Sequence, residues 1–134
     1  MRLRLILMVR VLAEILRYEV VVALRGFRGV HYGLSRPLPP RKCLEGIESA
    51  VREAVEAVTT LYWRRVLCLE RSVITARVLH AYGVSAEVVI GYRLKPFAGH
   101  AWVEVDGQVV NDSPGYAEKL HVLERFRPAV YESY

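Results

Sequence analysis

Three residues of this 134-residue chain have the types and the order needed for thiol-based acyl chemistry: Cys68, His100 and Asp112. Cys68 opens the segment Cys68-Leu69-Glu70-Arg71-Ser72 at the head of an apolar run. A sulfur placed there sits among unpaired amide N–H groups and the positive end of a helix dipole, which together favour a thiolate. The same amides can donate to the oxyanion of an attacked carbonyl. His100 follows 32 residues later, after Pro96-Phe97-Ala98-Gly99, at the mouth of a predicted strand. In such an arrangement His100 takes the thiol proton, Asp112 holds the imidazole tautomer, and the thiolate attacks a peptide carbonyl. Each residue also has a plainer role open to it. Cys68 can be a small buried apolar side chain, His100 a satisfied edge-strand histidine, and Asp112 an Asx turn before Ser113-Pro114. The ordered combination favours a cysteine peptidase.

Register decides whether His100 and Asp112 can meet. Asp106-Gly107 is a hairpin signal between two strand-like runs. A two-residue loop pairs Val105 with Gln108 and sets Asp112 opposite Ala101, on the wrong face. A three-residue loop with Gly107 left-handed in a bulge pairs His100 with Asp112 directly. The triad therefore predicts the bulged loop or an equivalent slip.

Around these three, Gly99 lets a substrate backbone approach, Trp102 can wall the site, and Arg71 follows the nucleophile inside its helix. Those are the candidate substrate-binding residues. Ser72 can support the helix start by hydrogen bonding, and Arg64 and Arg65 can steer an acidic peptide. Cys43 reads as structural, His80 as a packed or C-terminal helix histidine, and His31 and His121 as surface residues. Cys43, Cys68, His80 and His100 make no metal-ligand pattern, and no cofactor is expected.

The elements that must hold these residues can be read from the periodicity. Residues 44–61 form an amphipathic helix with Ile47, Val51, Ala54 and Val58 inward and Glu48–Arg52 as an i,i+4 pair. Residues 69–82 are apolar around most of the circumference, so this helix is central, and Gly83 ends it. Residues 87–92 and 101–105 read as strands, and 119–126 as a last short helix before Pro128. Residues 3–24 form a helix with Leu5, Val9, Leu12 and Leu16 as its apolar stripe. Gly26, Gly29 and Gly33 before Pro37, Pro39 and Pro40 read as a connection without helix. Arginines and glutamates interrupt the first helix too often for a signal sequence or a membrane span. It docks on the core or lies against a partner or a membrane surface. One domain fits the length, residues 1–60 being a helical N-terminal part and 61–120 the core. Two cysteines make no disulfide framework, which points to a reducing, cytoplasmic compartment. The net charge of +5 selects no partner, and the basic residues lack the aromatic interleaving of a nucleic-acid reader.

Taken together, Cys68-Leu-Glu-Arg-Ser72, Tyr82-Gly83-Val84, Val89-Ile90-Gly91, Pro96-Phe97, His100-Ala-Trp-Val-Glu-Val-Asp-Gly107 and Val110-Asn111-Asp112 resemble the lasso-peptide leader peptidases, a group of transglutaminase-like cysteine proteases. The resemblance spans about residues 61–120. It implies an α+β, papain- or transglutaminase-like fold in which a helix headed by Cys68 packs on a small antiparallel sheet. It implies a Cys68-His100-Asp112 triad and a precursor peptide cut at its leader–core junction, after which an ATP-dependent lasso cyclase closes the ring. It further implies a stand-alone form served by a separate leader-recognition protein, with the first helix and the Tyr18–Phe27 region as candidate contacts. Two rivals remain at this point: an acyl-transferring transglutaminase-like enzyme, and a non-catalytic basic binding module.

Overall fold

The computed structural model describes residues 2–42, 44–112 and 114–129; Cys43 lies outside the described residues. In chain order the elements are α1 (Arg2–Arg25), α2 (Phe27–Leu34), α3 (Ile47–Leu61), α4 (Cys68–Ala81), β1 (Ala86–Leu94), β2 (Phe97–Val105), β3 (Gln108–Val109), α5 (Pro114–Ala117) and β4 (His121–Phe126). The α+β class is as expected. The sheet is antiparallel with strand order β3-β2-β1-β4.

Helix α4 is the hub, because most of its circumference is apolar. Ser72 to Ala76 and Val78 to His80 are all buried. The helix lies between α1 and α3 on one side and β1 and β2 on the other. From the sheet, Ala86, Val88, Val103 and Val105 join this core, while Val89, Trp102 and Leu120 make a smaller cluster on the opposite face. Gly83 ends α4 in the left-handed region (φ 75°), donating its N–H to the His80 carbonyl at 2.9 Å. A Cβ there would lie 2.4 Å from the Arg41 Cα, so the position needs glycine on two grounds. On α3 the inward stripe is as expected, with Val55 and Thr59 added. Its intrahelical ion pair is Arg52–Glu56 at 3.4 Å, while Glu48 faces Arg41 at 4.0 Å.

Three expectations are corrected. The glycine-bearing stretch after Gly26 is helix α2. Gly26 (φ 65°) breaks the chain direction and helix resumes at once, with Val30 and Leu34 buried. Gly29 permits close helix approach, since a Cβ there would meet Val21 at 2.6 Å. The segment expected to be a last helix is β4, which pairs with β1 from His121↔Tyr92 to Phe126↔Val88. Its short apolar run is compatible with either state, and the open edge of β1 decides. Finally, α1 turns Leu7, Val11 and Ile15 inward, not the stripe Leu5, Val9, Leu12 and Leu16, which is exposed. Both sets keep the helical period, and the outward one leaves a long apolar face on the surface.

His80 near the end of α4 is packed, as expected. Its Nε2–H donates to the Ala86 carbonyl at 2.8 Å, and burial pushes its pKa below the ordinary histidine value. The unfolded chain therefore takes up a proton near pH 6.5 that the folded chain resists. The stabilising contribution of neutral His80 is complete above that pH and is lost as pH falls through it towards the folded value. Thermal melts should lose a few degrees between pH 7.5 and 5.5. His80→Gln should flatten that part of the profile.

Candidate active site

The lengths of α4 and β1 put Cys68 and His100 at similar distances from the turn that joins them. The His80–Ala86 bond fixes the start of β1 beside the last turn of α4, and β1 then runs back along the helix. Cys68 lies roughly 18 Å before His80 at 1.5 Å per helical residue. Gly91 lies about 17 Å beyond Ala86 at roughly 3.3 Å per strand residue. Gly91 pairs with His100, so the histidine returns to the level of the α4 N-terminus. Cys68 is exposed there, and Leu67 at the N-cap has no side chain able to accept from the first-turn amides. The hydrogen bonds of the described residues do not include one from Cys68 Sγ.

His100 Nε2 and the Asp112 carboxylate are hydrogen-bonded, both side chains being partly buried. The loop that allows this is not the bulged one. Val105 pairs with Gln108 and Glu104 with Val109, leaving Asp106 (φ 51°) and Gly107 (φ 77°) as a two-residue turn with both positions left-handed. The ladder that would turn Asp112 away is abandoned first. Val110 N–H still donates to the Val103 carbonyl at 3.0 Å, but Val103 N–H donates to Asn111 Oδ1 at 2.7 Å instead of to the Val110 backbone. Once the Asn111 side chain replaces the backbone, strand alternation no longer governs the next residue.

The other candidates fall in different places. Trp102 is 1% exposed and lies under the imidazole, the rings stacked with centroids 6.2 Å apart. Its indole N–H donates to Glu104 at 2.7 Å, and Glu104 also holds Arg125 at 3.1 Å. Gly91 makes room for that indole, since a Cβ would meet it at 2.6 Å. Gly99 is exposed, with nothing nearer a Cβ than the Gly91 carbonyl at 4.0 Å. Arg71 is exposed on the first turn of α4. His100 itself lies inside β2, which begins at Phe97 and not after Gly99.

Arg64 is a structural cation, unlike exposed Arg65. It donates to Glu70 at 2.7 and 3.1 Å and to Glu19 at 2.6 and 2.9 Å, and Tyr62 donates to the same Glu19 oxygen. The Arg64 hydrogen bond, with help from Tyr62, holds the Glu19 carboxyl below its usual range. This network fastens the segment leading to Cys68 onto α1. Only Glu70, buried among apolar neighbours of α4, signalled it in sequence: a carboxylate there requires a cation.

Comparison with known proteins agrees with the α+β fold. Over residues 10–125 the chain matches the family model of the Transglutaminase-like superfamily. It is 35% identical over 79 residues to the microcin J25-processing protein McjB of Escherichia coli, the match covering 57% of this chain and 38% of that relative. The chain thus spans well under half the length of the curated relative it matches. No solved structure matches. The fold, a helix opened by cysteine packed on a small antiparallel sheet, and a family match over most of the chain lead to one conclusion: the protein belongs to the transglutaminase-like superfamily.

Proposed function

We propose that the protein is a cysteine peptidase that removes the leader from a ribosomally made lasso precursor peptide. The observation that carries this reading is the His100–Asp112 couple, together with an exposed Cys68 as the first residue of α4. With Nε2–H given to Asp112, Nδ1 is the ring atom left to act as base toward the thiol. Asp112 then stabilises the imidazolium. The thiolate attacks the scissile carbonyl while first-turn amides of α4 receive the oxyanion, and His100 returns the proton to the departing amine. Water resolves the thioester. The likeness to a microcin J25-processing protein supports a precursor peptide as substrate. The outward stripe of α1 and exposed Phe27 support a separate leader-recognition protein as partner. No helix among the described residues is long and apolar enough to cross a membrane.

A second reading, acyl transfer to an amine, rests on the superfamily itself. Mass spectrometry of the precursor peptide incubated with this protein and a leader-recognition protein in ¹⁸O-labelled water separates the two. A leader fragment with a labelled carboxylate terminus establishes hydrolysis. A leader joined to an added amine, with no carboxylate product, establishes transfer. A precursor left intact, when the same mixture with an authentic leader peptidase cuts it, rejects both.

A further inference from the structure

One side chain outside the three candidate catalytic residues touches the surroundings of all of them. Asn111 Oδ1 accepts from Val103 N–H at 2.7 Å, three residues along β2 from His100. Its Nδ2 donates to Ser72 Oγ at 3.3 Å, and Ser72 is wholly buried, one helical turn from Cys68 on the same side of α4. Asp112 is its covalent neighbour and meets His100. A primary amide is suited to this place because it carries one acceptor and two donors in a rigid plane. Aspartate would keep an acceptor for Val103, lose the donor to Ser72 and add a charge beside Asp112. Leucine would leave both the Val103 amide and the Ser72 hydroxyl without their partner.

We propose that Asn111 is a positioning residue that sets the His100–Asp112 couple relative to the Cys68 helix. Resting on the peptidase reading, it assigns a role to a side chain that touches neither substrate nor the reacting atoms. Two acts are combined in one group. By taking the Val103 amide, Asn111 ends the β3 ladder and frees Asp112 to turn toward His100. By holding Ser72, it fixes the distance between that turn and α4. The chemical consequence lies in protonation. An imidazole held by Asp112 is fixed in the orientation and tautomer that can accept the thiol's proton, whereas one without that contact is not.

The test is the rate at which iodoacetamide labels Cys68, read by peptide mapping in a Cys43→Ser background, at pH 6 and pH 9. An ordinary thiol labels a few hundred times more slowly at pH 6 than at pH 9, following a pKa of about 8.5. The parent protein is expected to label at comparable rates at both. Asn111→Leu should lose at least tenfold of the pH 6 rate and keep the pH 9 rate. Asn111→Asp should do the same while retaining its melting transition, which keeps the test open if the leucine variant fails to fold. Ser72→Ala should move the ratio the same way by a smaller factor, and add nothing on top of Asn111→Asp. Precursor cleavage should fall in kcat with KM unchanged within about twofold. Folded Asn111 variants with the parent's labelling ratio would overturn the proposal, leaving Asn111 as a tie between helix and sheet. A parent ratio like that of an ordinary thiol would instead sink the catalytic reading of Cys68, so the two failures are distinguishable.

Discussion

Cys68→Ala is expected to lower kcat/KM for precursor cleavage by about 10⁴- to 10⁶-fold while leaving the fold and peptide affinity intact. The size follows from what is removed: among the described residues Cys68 has the only thiol that can form the thioester, and the oxyanion donors alone retain only a small residue of catalysis. The stability change should stay within about 0.5 kcal/mol, because the thiol is exposed and fills no core space. His100→Ala should cost nearly as much, and the double variant Cys68→Ala/His100→Ala no more than the worse single one, since the pair acts as a unit. Asp112→Asn should cost less, as it leaves thiol and imidazole in place but no longer selects the tautomer. Quantitative chromatography of leader release, with the recognition partner present, measures all four. Retention of a tenth of the parent activity by Cys68→Ala would remove the thiol as nucleophile.

The second large effect is on stability. Arg64→Ala should destabilise the protein by about 3 kcal/mol, because it leaves Glu70, with a side chain only 8% exposed, as a charge with no cation beside it. The tie to Glu19 goes at the same time, freeing the segment before Cys68 from α1. Arg64→Met combined with Glu70→Gln should recover most of the loss, since it removes the stranded charge along with its partner. Urea unfolding of the single and double variants decides. Equal costs in both would mean that the lost tie to Glu19, and not the stranded carboxylate, carries the energy.

The parts of the fold legible in sequence are those where local pattern and tertiary environment agree. The all-round apolarity of residues 69–82 could only describe a central helix, and Gly83 could only end it. The stripe Ile47, Val51, Ala54 and Val58 had charged residues opposite, so its direction was not in doubt. Helix α1 was legible as a helix but not in its orientation, because Leu7, Val11, Ile15 and Leu5, Val9, Leu12, Leu16 repeat with the same period. Glycine misled in α2, where Gly29 gives room to a neighbouring helix; spacing alone does not tell that use from a break. Strand β4 carries almost no inward alternation, five of its six residues being exposed, so only the backbone of β1 could assign it. The His100–Asp112 contact was legible in the order of the residues, and the device that joins them was not. Hairpin register is a backbone rule, and it held for the turn at Asp106-Gly107. What it could not foresee was a side chain, Asn111, taking a ladder hydrogen bond and ending the rule one residue before Asp112.

The proposed site draws Cys68, His100 and Asp112 from one helix, one hairpin and the turn after it, all within residues 68–112. The loops that close it are therefore short, and the entropy of bringing the ends together is small compared with that of docking α1, which meets α4 across more than forty residues of chain. Folding is expected to respect this order. The α4–β1–β2 unit holds contacts of low sequence separation and should be structured in the transition state, with α1 and β4 added afterwards. Substitutions in α4 and the β1–β2 hairpin should then slow folding, while those on the inner face of α1 should mainly speed unfolding. A binder that clasps α1 would lengthen the lifetime of the native state without altering how the site is built.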